Sequence, residues 1–311
     1  PPTPADTTPA TVAINLDQWF KTDFHLTDKE MVEIDRSRDF IPMQTGEAIK
    51  ALATQVNTHI LSKYTSIFGY FEDATPGDDI VHAIEMRKVL NEQEAPSFDR
   101  RMVVDFATEA RALALPAFRD VSQSSDRGVI IEGEIGKKLG FDWFAGHDIP
   151  THTKGGASGY LTNGAPTLGS KAIVVDTGTG TFVLGDIITF AGDLQTYVIT
   201  AAHSGGAGTL AISPGLKVAV GDGAALSIKG NHVVNLAFHR DAWAFATRPL
   251  AVTAADLALG NQILSASDPQ TGIVLRLGVS RQYKQVLWEF DILWGSEIVR
   301  PELAARLADV A

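Results

Sequence analysis

Between Gly155 and Gly230 the chain loses nearly all helical periodicity, and this stretch constrains the fold more than any other. It is rich in Gly, Thr, Val and Ile. Short strands are legible at Lys171 to Asp176, Thr181 to Leu184, Ile187 to Phe190, Thr196 to Ala201, Thr209 to Ile212 and Ala225 to Ile228. Gly, Asp and Ser turns separate them. Short strands at this spacing build a small antiparallel barrel or sandwich. Mixed α/β texture flanks the segment and resumes at Val233, so it reads as an insertion into one interrupted unit. Ile173, Val175, Val183, Ile187, Val198, Ile199, Leu210 and Ile212 supply enough apolar surface for one small core. A segment of this size is expected to fold alone, on the outer surface, with no chemistry of its own.

The flanking segments are mixed. Gly46 to Tyr64 carries Ile49, Leu52, Ala53, Val56, Ile60 and Leu61 at three- and four-residue spacings, one apolar stripe of a long helix. Such a helix needs a partner surface along its length. Thr27 and Glu30 form a capping box that opens a helix. Asp79 to Asn91 is a second helix, with acid at its start and base later. Arg101 to Phe106 reads as a strand, and Thr108 to Leu115 as a helix stopped at Pro116. Val12 to His25 reads as strands with an exposed turn. Leu275 to Tyr283 and Val286 to Leu293 read as two long strands, and Pro301 as the start of a short terminal helix. Pro1 to Thr11 reads as an extended arm or loop.

Composition removes several function classes. There is no cysteine, which excludes disulfides, thiolate metal sites and Cys nucleophiles. A net charge of -11 argues against a phosphate-neutralising nucleic-acid binder. Apolar runs are too short to span a bilayer, and no signal peptide is visible. The chain opens at Pro1, so a processed product or a piece of a longer one is expected, with cytoplasmic origin.

Sequence fragments that imitate catalytic motifs fail on their own chemistry. His239-Arg240-Asp241 copies a kinase catalytic loop, but Ala246 stands where the metal-holding Asn belongs. Gly133 to Gly140 lacks P-loop spacing and reads as a Gly-marked turn. His203-Ser204-Gly205-Gly206 lacks the nucleophile elbow and reads as a hairpin tip. His147, Asp148 and His152 offer two loop histidines and no third ligand nearby, which favours surface residues over zinc. Asp78 and Asp79 read as helix-start charges, and Trp143 and Trp243 as core. No catalytic, cofactor or metal site is expected.

Several segments, in order, resemble the P22-type coat proteins of tailed bacteriophages. They are Leu26 to Glu30, Leu90 to Pro96 with Asp99 to Arg101, Glu132 to Asp142 with Pro150 to Thr153, and Asn235 to Ala242 closing at Thr247 to Leu250. Asp268 to Gly272, Trp288 to Gly295 and Arg300 to Glu302 complete the series. The resemblance implies an α+β, HK97-like capsid fold with a spine helix, peripheral and axial domains, and an inserted small β-barrel. The implied layout is an extended loop over 1–25, spine helix and peripheral domain over 26–96, and axial domain over 97–154. The inserted β-domain covers 155–230, and the second axial and peripheral part covers 231–311. The family begins with an N-terminal helical arm; here the chain opens at a Pro/Thr stretch that reads as already inside the loop, so the arm is expected to be removed, outside this sequence or divergent.

The expected function is therefore a major capsid protein, self-assembling into an icosahedral head around double-stranded DNA. It would be located in the virion and assembled in the host bacterial cytoplasm. The resemblance also implies scaffolding and portal partners and only passive contact with packaged DNA, with no membrane and no cofactor. Trp19, Phe20 and Phe24 are the expected subunit-interface aromatics, since exposed aromatics that miss their own core mark interfaces. Arg36 and Arg38, among the mixed charges Glu33, Asp35, Arg36, Arg38 and Asp39, are the next candidates, against a solvated helix face. The alternatives are an encapsulin-type compartment, which shares the fold class, and a hydrolase using His203, Ser204 and an Asp.

Overall fold

The computed structural model describes residues 11–34, 40–119, 133–258, 260–269 and 271–310. The chain divides into two compact units, one of residues 1–60 and 244–299, the other of residues 61–243 and 300–311.

The first unit is built on an antiparallel sheet. Its order is Gln18–Thr27, Gln285–Ile298, Val274–Gln282, Gln262–Ser267, and Trp243–Thr247 also pairs with the long second strand. Val12 to His25 was expected to hold strands about a turn. Instead a single ten-residue strand runs from Gln18 to Thr27, paired without a break against Trp294 to Gln285. The two predicted long strands are present as Val274–Gln282 and Gln285–Ile298, joined through Lys284 at φ 55°. The long helix is Phe40–Ser62, and its Ala48, Leu52 and Val56 pack with Phe290, Ile292 and Trp294. The capping box forms as expected: Thr27 N donates to Glu30 at 2.8 Å, and Glu30 N donates to the Thr27 hydroxyl at 3.3 Å. It opens the helix Asp28–Ile34.

The second unit holds a seven-stranded sheet. Its order is Gly69–Asp73, Ala304–Asp309, His232–His239, Arg100–Val104, Phe141–Ala145, Lys137–Lys138, with Thr151–His152 added beside His232–His239. Pro301 starts only a turn of 3-10 helix, Pro301–Leu303, where a terminal helix was expected. The residues that follow, Ala304–Asp309, form a strand buried throughout. It pairs in parallel with Gly69–Asp73 and antiparallel with His232–His239, so tertiary pairing overrides a helix-prone composition. Helices Ile80–Glu92 and Phe106–Ala114 begin at Asp79 and Asp105, whose carboxylates accept from Val81 N and from Ala107 and Thr108 N.

Residues 155–230 form a six-stranded sheet within this unit, ordered Leu226–Ile228, Ile187–Phe190, Tyr197–Ile199, Gly208–Ser213, Ala172–Asp176, Leu161–Thr162. Its two ends meet. Leu161 bridges Ala225, Leu226 N donates to Tyr160 O at 3.0 Å, and Thr162 N to Ala224 O at 3.0 Å. The sheet is thus rolled into a small barrel, and closure removes its exposed edges. Thr181 to Leu184 is not a strand, since only Phe182 forms a bridge, to His203. The barrel core includes Tyr160, Ile173, Val175, Phe182, Ile199, Leu210 and Ile212. Ile187 and Val198 are absent from it. They are buried against Tyr70 and Ala308 of the seven-stranded sheet and Phe68 just before its first strand, so one side of the barrel is docked.

Candidate assembly surface and buried polar junction

The register of the N-terminal strand sorts its aromatic residues by face. Successive side chains on a strand alternate, and directly paired residues share a face. Phe20 pairs with Ile292 and Phe24 with Trp288, which puts both on the face covered by the long helix. Phe20 lies 6.2 Å from Trp294, and Phe24 stacks on Trp288 at 6.1 Å and 9°. Phe24 is partly buried and packs against its own unit's core. Phe20 reaches the rim of that core and remains 44 % exposed.

Trp19 pairs with Leu293 on the opposite face and is 53 % exposed. Beyond Leu293, that face carries ionic pairs along the strand. Lys21 lies 3.5 Å from Glu289, and Arg276 grips the buried Asp291 through Nε at 3.0 and 2.8 Å. Trp19 therefore stands as a large apolar group in a polar setting, the arrangement expected of an interface anchor with a polar surround. Of the mixed charges, Glu33 is exposed and lies 3.9 Å from Lys29. Asp35, Arg36, Arg38 and Asp39 lie outside the described residues.

The densest buried polar cluster lies where the barrel docks on the seven-stranded sheet. Asp186, fully buried, accepts from Val183 N at 2.7 Å and Gly155 N at 3.2 Å, and meets His152 Nε2 at 3.0 Å. The His152 Nδ1 lies 3.0 Å from the Tyr64 hydroxyl. A carboxylate only accepts, so Nε2 carries a proton, and in the neutral ring Nδ1 then accepts from the Tyr64 hydroxyl. Arg306, also fully buried, sits over the Tyr64 ring at 5.0 Å and donates to Gly185 O at 2.9 Å. Burial lowers the Arg306 pKa to about 10 and raises that of Tyr64. Beside them His232 is held neutral by burial, its pKa lowered to about 4. Sequence reasoning missed this cluster. His152 was expected on a surface loop, yet it is 3 % exposed, because its partner Asp186 arrives from the inserted barrel.

The motif-like fragments take structural roles. His203 Nε2 bonds the Gly206 carbonyl at 2.9 Å, and among the described residues no carboxylate is bonded to this imidazole to orient a base. His239 is buried and accepts from Asp241 N at 3.2 Å, closing a turn. Gly133, Gly136 and Gly140 all have positive φ, as a Gly-marked turn requires. Asp79 is a helix cap, but Asp78 joins Asp73 and His82 in a group whose ligand atoms lie within 4.8 Å of one another. There Gly77 N already donates to His82 Nδ1 at 3.2 Å, and Nε2 faces Asp73 at 3.4 Å. The three side chains thereby tie down the turn before the helix. Among the described residues no helix is long and apolar enough to cross a membrane.

No family model matches the chain, and no curated protein matches it. Solved structures do. A chain from Mycobacterium phage Che8 aligns with a TM-score of 0.50 at 14 % identity, over 97 % of this chain and 76 % of that one. The capsid structure of cyanophage P-SCSP1u aligns at 0.45 with 12 % identity, over 97 % of this chain and 77 % of that chain. The mature capsid of bacteriophage PhiM1 aligns at 0.42 with 11 % identity, over 96 % and 72 %. The likeness to the Che8 chain is one of fold: the chain has the α+β, HK97-like fold.

Proposed function

We propose that this chain is the major capsid protein of a tailed phage, a shell-building subunit without catalytic activity. The observation that carries the reading is the agreement of two independent lines. The order of P22-like segments implies an HK97-like fold with an inserted barrel, and the chain has that fold with a closed barrel at residues 155–230. Assembly would proceed through many weak contacts in closed symmetry, with no dependence on redox conditions, since there is no cysteine. The exposed Trp19, on the face opposite the core, supports a contact with a neighbouring copy. Arg36 and Arg38 extend that proposal as inter-subunit ion-pair partners. Scaffolding and portal proteins, passive contact with packaged DNA, location in the virion and assembly in the host cytoplasm belong to the same reading. The test is negative-stain imaging and light scattering of the full chain, with and without its scaffolding protein. Closed shells are expected. A stable monomer at high concentration, with scaffolding supplied, would overturn the reading.

A further inference from the structure

One face of the seven-stranded sheet gathers polar side chains beneath the barrel. Arg306 pairs with Leu236 on one side and Tyr70 on the other, and His232 pairs with His152. Leu236 and His232 are an even number of residues apart on one strand, so Arg306, Tyr70, His232 and His152 share a face. The ring contacts agree: His232 lies 5.3 Å from Tyr70 and 5.2 Å from His152. Ile187 and Val198 of the barrel seal this face beside them.

Two groups under the seal have hydrogen-bonding capacity that the described residues do not use. Arg306 spends Nη1 on Gly185 O, but its Nε and Nη2 meet no acceptor there. His232, 2 % exposed, places Nδ1 at 2.9 Å from Gly230 O. A carbonyl only accepts, so Nδ1 carries the proton and Nε2 is a bare acceptor, with no donor among the described residues. Leaving such groups unmatched in the interior carries their full desolvation cost.

The chemistry of a ligand follows from this pairing. A single ligand that bridges the two must accept from a guanidinium and donate to a neutral imidazole. Halide or carboxylate anions cannot donate, and a metal cation cannot accept. Asp186 already lies within electrostatic reach of Arg306, so the site calls for no second negative charge. A water molecule satisfies both ends and makes the two to four bonds typical of buried water. We propose that ordered water is bound between Arg306 and His232 as a fixed part of the joint between barrel and sheet. The joint is then dry at Ile187 and Val198 and hydrated around Arg306.

The test is a density map of the full chain at a resolution where ordered waters are visible, with a parallel data set in bromide. Water within hydrogen-bond distance of Arg306 Nε or Nη2 and of His232 Nε2 is expected. Bromide at that position would overturn the proposal in favour of an anion site. A dry junction, with Arg306 bonded instead to a protein oxygen, would overturn it as well. In solution, oxygen-17 relaxation dispersion should lose at least one long-lived water on His232→Leu, with the circular dichroism spectrum retained. An unchanged count of long-lived waters in a folded H232L protein would also refute it.

Discussion

His232 should make the second unit acid-labile in a defined window. An unfolded histidine titrates near pH 6.5, whereas the folded ring, desolvated under the barrel, titrates at about 4. Between these values the unfolded chain binds a proton that the native chain refuses. Stability therefore rises with pH across the window, is fully present above about 6.5, and is lost as pH falls toward 4. A gap of this size is worth about 3 kcal/mol at its limit, from 1.36 kcal/mol per pK unit. Native-state hydrogen exchange on the strands His232–His239 and Ala304–Asp309 reads the effect locally. Their opening free energy should fall by about 2.5 kcal/mol from pH 7 to 4.5 in the wild type. In His232→Leu the slope across the same window should flatten, even though losing the bond to Gly230 lowers the starting stability by roughly 1 kcal/mol. Equal slopes in the two proteins would refute the reasoning and assign the acid response to other groups.

Two further outcomes follow from the packing. Phe20→Ala should cost the free subunit roughly 1–2 kcal/mol, since its half-buried ring faces Trp294, while Trp19→Ala should leave subunit melting nearly unchanged and impair shell formation. Urea melts and light scattering on the two single variants separate these effects, and matching stability losses would place Trp19 in the core. Ile187→Ala with Val198→Ala should loosen the docking of the barrel by about 2–4 kcal/mol yet leave its interior intact, because neither residue belongs to the barrel core. Limited proteolysis should then cut the segments joining barrel and sheet first; cleavage throughout the barrel would show that the two cores are one.

What the sequence made legible was local. The Thr27–Glu30 box depends on residues three positions apart, so spacing alone specifies it, and Asp79 was legible as a helix-start charge; Asp105 was expected inside a strand, whereas it caps the helix Phe106–Ala114. Five of the six barrel strands were legible because Gly-rich turns punctuate them; the two-residue strand Leu161–Thr162 was missed. The helix stripe was read correctly at Leu52, Val56 and Ile60 and missed at Ile49 and Ala53. Ala48, Leu52 and Val56 are buried, while Ile49 is 42 % exposed and Ala53 is exposed, because the covered sector is set by the sheet beneath and not by side-chain size. Ala304–Asp309 was illegible for a related reason. A strand buried on both faces shows no alternation, and its alanines read as helix. The polar junction was the least legible part, since Tyr64, His152, Asp186, His232 and Arg306 meet only after two sheets have formed.

The position of the barrel explains how the fold tolerates so large an insertion. The strands that lead into and out of it are themselves a pair, His232 opposite His152 and Val233 opposite Thr151. Lys154 N donates to Asn231 Oδ1 at 2.9 Å across 77 residues of chain, and Asp186 binds Gly155 N at the point of departure. The barrel therefore occupies the loop of an antiparallel pair whose ends stay where a tight turn would leave them. Loop-closure entropy grows only slowly with length, so lengthening that loop costs little once the inserted chain has a core of its own. What remains to be fixed is orientation. Ile187 and Val198 supply apolar area without direction, whereas the bonds from Asp186 to His152 and from Arg306 to Gly185 accept only one alignment. Under the proposed shell-building role one shape must repeat around a closed shell, and the directional part of the joint is the part such assembly would most depend on.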